Sequence, residues 1–142
     1  MKKIPGALLV FLLCIAAVSC SKDAGEGGNS TIYGKVIAYN YNAEFTHLKG
    51  VYPAPDEDVF IIYGSDRSFS QRIRTNYNGV YEFKYLRPGD YTIYVYSKDS
   101  TLTLPQEIYP VIREVTIDKN KQSVEVPEEI TYIYDDTEEY NG

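Results

Sequence analysis

The 142-residue chain has no tryptophan, a single histidine, two cysteines and no apolar run long enough to cross a bilayer as a helix. Each shortage excludes something. One histidine, His47, leaves no room for a zinc site that needs at least two imidazoles and a carboxylate, and it would be the only imidazole available as a serine's base. As a lone loop histidine it reads most plainly as a solvated residue. Basic residues are outnumbered, 14 against 20 acidic, for a formal net charge of -6, so a polyanion such as nucleic acid is excluded as a partner on charge grounds. Helical periodicity is missing throughout.

Lys2 and Lys3 precede an unbroken apolar stretch from Ala7 to Val18, the layout of a secretory signal peptide. The stretch ends in Ala17-Val18-Ser19-Cys20, which resembles the bacterial lipobox, with alanine standing where leucine is commoner. The plainer alternative is ordinary secretion with a chance cysteine. The lipobox resemblance implies cleavage after residue 19, lipid on Cys20 and attachment to the outer membrane. Cleavage discards Lys2, Lys3 and Cys14, leaving 12 basic against 20 acidic residues, a balance of -8, and one cysteine. An internal disulfide is then impossible, and the domain must stand on its core. Residues 20–30, SKDAGEGGNS after the cysteine, read as a flexible tether. Lys22, Asp23 and Glu26 resemble the charged export signals of surface-exposed lipoproteins in the Bacteroidetes, which implies exposure at the cell surface. The acidic stretch 135–142 reads as a disordered tail.

Fifteen tyrosines and five phenylalanines suit pleated surfaces. From Thr31, short runs of β-branched and aromatic residues alternate with turn signals, which predicts an all-β domain over 31–134: a single seven-stranded, Greek-key-like sandwich. The strands are expected near 31–39, 58–64, 69–75, 80–85, 90–97, 111–117 and 123–134, the last interrupted around Pro127. The segments 42–57 and 98–110 are expected as long loops, where recognition often sits.

The stretch Thr75 to Tyr96 is the most informative. Asn78-Gly79 predicts a tight hairpin turn, and Pro88-Gly89 the middle of a type II turn. Tyr81, Phe83 and Leu86, then Tyr91, Ile93 and Val95, fall on inward positions. Thr75, Gly79, Tyr81, Phe83, Leu86, Pro88, Gly89, Tyr91, Ile93 and Val95 together resemble the signature of the carboxypeptidase regulatory-like family, a transthyretin-type (prealbumin-like) sandwich related to Cna B-type repeats. Ile32-Tyr33-Gly34-Lys35-Val36 resembles its first strand, and Pro55, Val59 and Ile61 its second. The resemblance implies a non-catalytic structural, adhesive or accessory binding module at the cell envelope, needing no cofactor. Cna B-type relatives can join a first-strand lysine to a last-strand asparagine, but alternation turns Lys35 outward and the final strands offer no inward asparagine.

If Tyr91, Ile93 and Val95 face inward, Tyr94 and Tyr96 face outward, and the same parity places Phe60 and Ile62 opposite Val59 and Ile61. These four are the candidate binding residues, with an envelope protein or a glycan as partner. The bland alternative is that they are ordinary exposed strand formers or lie under a loop. Acidic clusters at Asp56-Glu57-Asp58, Glu128-Glu129, Asp135-Asp136 and Glu138-Glu139 supply the other reading, a calcium-dependent carbohydrate binder or small hydrolase. No calcium-loop motif accompanies them, and solvated loop charge is the simpler account.

Overall fold

The computed structural model describes residues 23–101 and 108–134, all β and turn without helix; the expected leader, Cys20 and the acidic tail lie outside them. Nine strands form: β1 (Glu26–Tyr41), β2 (Leu48–Pro53), β3 (Asp58–Tyr63), β4 (Gln71–Arg74), β5 (Val80–Leu86), β6 (Gly89–Lys98), β7 (Ile108–Ile117), β8 (Ser123–Glu125) and β9 (Glu129–Tyr134). They make a two-sheet sandwich. One sheet is organised by the long β1, flanked by β5 and β2 along one edge and by β8 and β9, both parallel to it, along the other. The second sheet runs β4-β3-β6-β7 and is antiparallel throughout.

Strict alternation explains why the sheets close on each other. Ser30, Ile32, Gly34, Val36 and Ala38 are buried along β1, and Tyr91, Ile93, Val95 and Ser97 along β6. Tyr81, Phe83 and Leu86 join Ile32 and Val36 from one sheet, meeting Val59, Ile61, Tyr91, Ile93, Val95, Val115 and Ile117 from the other. At about 25 cal/mol per Å² of apolar surface, a large aliphatic or aromatic side chain contributes about 1.5–3 kcal/mol. The described residues contain no cysteine, so among them this core carries the fold.

The all-β sandwich matches the expected class, but the described residues form nine strands rather than seven. The segment 42–57 contains β2, which pairs with the far half of β1 from Ile37↔Pro53 to Tyr41↔Leu48. Its side chains are largely exposed, so no buried alternation marks it in the sequence. The last expected strand splits into β8 and β9 around Pro127, as proline's missing donor requires.

The larger difference lies at the start. β1 begins at Glu26, not Thr31, and the glycine-bearing segment read as a tether is bonded into the domain from Asp23. The Arg87 guanidinium donates to the carbonyls of Asp23 (2.8 Å) and Glu26, while the Arg87 N–H reaches the Gly25 carbonyl at 2.8 Å. Tyr91 Oη accepts the Gly25 N–H at 2.8 Å and donates to the Arg87 carbonyl at 2.6 Å. A β-carbon at Gly28 would overlap the Leu86 carbonyl. Glycine is used there for close backbone approach rather than for flexibility.

Both expected turns are also corrected. Asn76 to Gly79 closes with the Gly79 N–H on the Asn76 carbonyl (2.9 Å) and the Asn76 side chain accepting from Asn78 and Val80, with Gly79 at φ 74°. It carries the chain from β4 in one sheet to β5 in the other, so it is a sheet-switching corner and not a hairpin. Gly89 has φ 151°, far beyond the angle of a type II turn, and its α-carbon backs onto Ala24.

Candidate functional site

Register sets the outward face of the four-stranded sheet. Phe60 pairs with Tyr94 and with Arg72 on its two sides, and Tyr94 pairs with Ile112, so Arg72, Phe60, Tyr94 and Ile112 form one row across four strands. Direct opposition brings the rings together: Phe60 and Tyr94 stack with centroids 4.9 Å apart and planes 8° from parallel. Tyr96 meets both edge-on, at 5.6 Å from each. Phe69 adds a fourth ring, 5.2 Å from Phe60 and tilted by 65°.

Exposure separates their roles. Phe60 faces outward as parity requires, yet it is only 8% exposed because its neighbours' rings cover it, which corrects its reading as a surface contact. Tyr94 is half-buried, and burial together with Tyr96 raises its phenol pKa. Tyr96 (43%), Phe69 (51%) and Ile112 (53%) present the accessible apolar surface. Ile62 lies one row away opposite Thr92, half-buried. The four expected residues therefore share one face, with Phe60 as its support and Tyr96 as its most open member.

Two contributors escaped the sequence reading. Phe69 precedes β4 in the connection from β3, which the Ser70 N–H folds back onto the Ile61 carbonyl at 2.8 Å. Phe69 falls in the strand expected over 69–75, where it would share the inward parity of Ile73, but β4 begins only at Gln71. Ile112 was accessible to parity, since Val115 and Ile117 face inward and even-numbered β7 positions therefore face out.

A charged rim borders the rings. Asp58 is ion-paired to Arg72 (3.4 Å) and Arg74 (3.2 Å), and Asp56 to Arg74 (3.2 Å). The guanidinium of Arg74 stands where a cation shared by Asp56 and Asp58 would have to sit. Glu57 between them has its pKa raised, first by burial and then by Asp58 and Asp56. Among the described residues no group of three histidine, cysteine or acidic side chains is placed to hold a metal. His47 is exposed in the β1–β2 turn, its backbone N–H donated to Asn42 Oδ1 at 2.8 Å.

Glu129, expected as part of a solvated acidic pair, is fully buried instead. Both of its oxygens face the Tyr81 hydroxyl, at 3.0 and 3.1 Å, and burial pushes its carboxyl up to about 7. Lys35, between buried Gly34 and Val36, takes no part. At the opposite end of the sandwich an open, polar cleft of about 670 Å³ is lined by Asp23, Tyr63, Asp66, Asp90 and Asp118.

No protein-family model and no curated protein matches the chain. Among solved structures, it is similar to a Pseudomonas aeruginosa protein described as a "putative carbohydrate binding protein", at 12% identity and a TM-score of 0.45, over 78% of this chain and 92% of that one.

Proposed function

We propose that this chain is a non-enzymatic lipoprotein of the cell envelope, anchored to the outer membrane through lipid on Cys20, whose sandwich holds a protein partner on its outward aromatic face. The observation that carries this reading is the contiguous surface of Tyr96, Phe69 and Ile112 over the Phe60–Tyr94 stack. An apolar centre rich in tyrosine and phenylalanine, bordered by Asp58, Arg72 and Arg74, has the anatomy of a protein interface. A glycan fits it less well, since Phe60 and Tyr94 spend ring faces on each other. The calcium reading is disfavoured by the Arg74 pairing of Asp56 and Asp58.

The family reading, a divergent carboxypeptidase regulatory-like domain, is supported by the place of the residues that carry the resemblance. Tyr81, Phe83, Leu86, Tyr91, Ile93 and Val95 are all core. Capture from solubilised envelopes tests the function, comparing wild type with a folded Tyr96→Ser/Phe69→Ser double variant. A protein retained by wild type and lost by the variant is the expected result. Retention of the same protein by both would remove the aromatic face from recognition, and elution of wild type by oligosaccharide would make the partner a glycan.

A further inference from the structure

We infer that the sandwich stands end-on at the lipid surface, with loops 64–68, 87–88 and 118–122 toward the bilayer and the aromatic face turned sideways to neighbours in the same membrane. The inference rests on Cys20 carrying the lipid.

Its basis is the length of chain left between lipid and domain. Asp23 is already gripped by Arg87, and Gly25 by Tyr91 and Arg87, so the sandwich holds the chain from residue 23 onward. Only Ser21 and Lys22 stand between Cys20 and Asp23. Even fully extended, three residue steps span about 11 Å. That distance cannot place the domain away from the surface, as ten residues of free tether would have done.

The topology states which end is held down. Ala24 packs against Gly89, Tyr63 reaches Glu26 at 3.4 Å, and Gly89 pairs with Ile117. The ends of β3 and β7 and the start of β6 therefore gather around Asp23. From there β1 runs the length of the molecule, about 50 Å at 3.3 Å per residue, to the turn that carries His47. Tyr94 and Tyr96, five and seven residues beyond Gly89 on β6, then sit about 15–25 Å above that end and look along the membrane plane. Such a face meets a membrane-embedded or lipid-anchored neighbour side by side.

The mature chain has no cysteine beyond Cys20, so Ser65→Cys and His47→Cys each accept a single fluorophore. Both positions are exposed, at opposite ends of the sandwich. The lipidated protein would be placed in phosphatidylethanolamine/phosphatidylglycerol vesicles bearing an acceptor dye at the headgroups, with lipid on Cys20 verified by mass. Energy transfer should be several-fold stronger from Ser65→Cys than from His47→Cys. Inserting about twelve glycine and serine residues before Asp23 should erase most of that difference. Equal transfer from the two sites of the lipidated protein would overturn the end-on arrangement alone. A mature chain without lipid on Cys20 would overturn both the arrangement and the anchored function beneath it.

Discussion

The hydroxyl of Tyr81 lies 3.0 and 3.1 Å from the two carboxylate oxygens of Glu129, a β5 side chain meeting a β9 side chain inside the sandwich. The pair is fully enclosed, and burial raises the Glu129 carboxyl from 4.5 to about 7, while the Tyr81 phenol is also held protonated by burial and by Glu129. The Tyr81 hydroxyl donates to the carboxylate and favours its charged form, but it serves one oxygen at a time and burial outweighs it.

The sign of the pH dependence follows. Below about pH 4.5 both folded and unfolded Glu129 are protonated and the group contributes no slope. Between 4.5 and about 7 the unfolded chain loses its proton first, so stability contributed here falls as pH rises, to a total of about 3 kcal/mol above the folded value. Glu129→Gln should therefore melt higher than wild type at pH 8 and close to it at pH 4.5. Parallel melting curves across that range, with a constant gap, would show that Glu129 stays charged in the fold.

The aromatic face separates into support and contact. Tyr94→Ser exposes Phe60 and removes its stacked partner, and should cost about 1–3 kcal/mol of stability. Tyr96→Ser and Phe69→Ser, at half-exposed positions, should each cost less than about 1 kcal/mol while weakening partner capture by ten-fold or more. Denaturant titration beside binding assays distinguishes the two kinds of position. Equal destabilisation by all three would make the cluster a packing feature.

Gly89→Val combines a strained backbone with a steric conflict, since φ is 151° and a β-carbon would come within 2.6 Å of the Ala24 methyl. A loss of about 2–4 kcal/mol is expected in thermal melts. Adding Ala24→Gly should return part of it, because the second change relieves the contact but not the angle. No recovery would place the whole effect in the backbone.

Cys20→Ala tests the proposed anchor, because it removes the thiol that would accept lipid. The variant should fail to incorporate radiolabelled fatty acid and should retain its leader, measured by mass. Normal processing of the variant would mean the leader is cut without a lipobox.

The inward residues are legible in the sequence, because a strand has a period of two: once Tyr91, Ile93 and Val95 are placed inward, Tyr94 and Tyr96 must face out. The same rule put Phe60 on the outer face. It could not report that Phe60 is covered, because covering depends on which strand lies alongside, and β3 meets β6 across a separation of more than thirty residues. Phe69 was missed because β4 begins at Gln71 rather than at the expected residue 69, so strand parity does not govern it. The corner at Asn76–Gly79 shows the limit from another side, since the dipeptide specifies a sharp reversal and not the sheet the next strand joins.

Composition and periodicity were sufficient for an all-β sandwich with a core of tyrosine, phenylalanine and β-branched residues, since alternation is a local property of each strand. Everything that required two distant segments to meet was settled by packing. Glu129 reads as one of two adjacent surface acids until β9 pairs with β1 and turns it toward Tyr81, forty-eight residues away. The glycines at 25, 27 and 28 read as a free tether until Arg87 and Tyr91 close over them. In both places the residue type permits two states, exposed or enclosed. The choice between them belongs to partners that lie far along the chain and come near only in the folded sandwich.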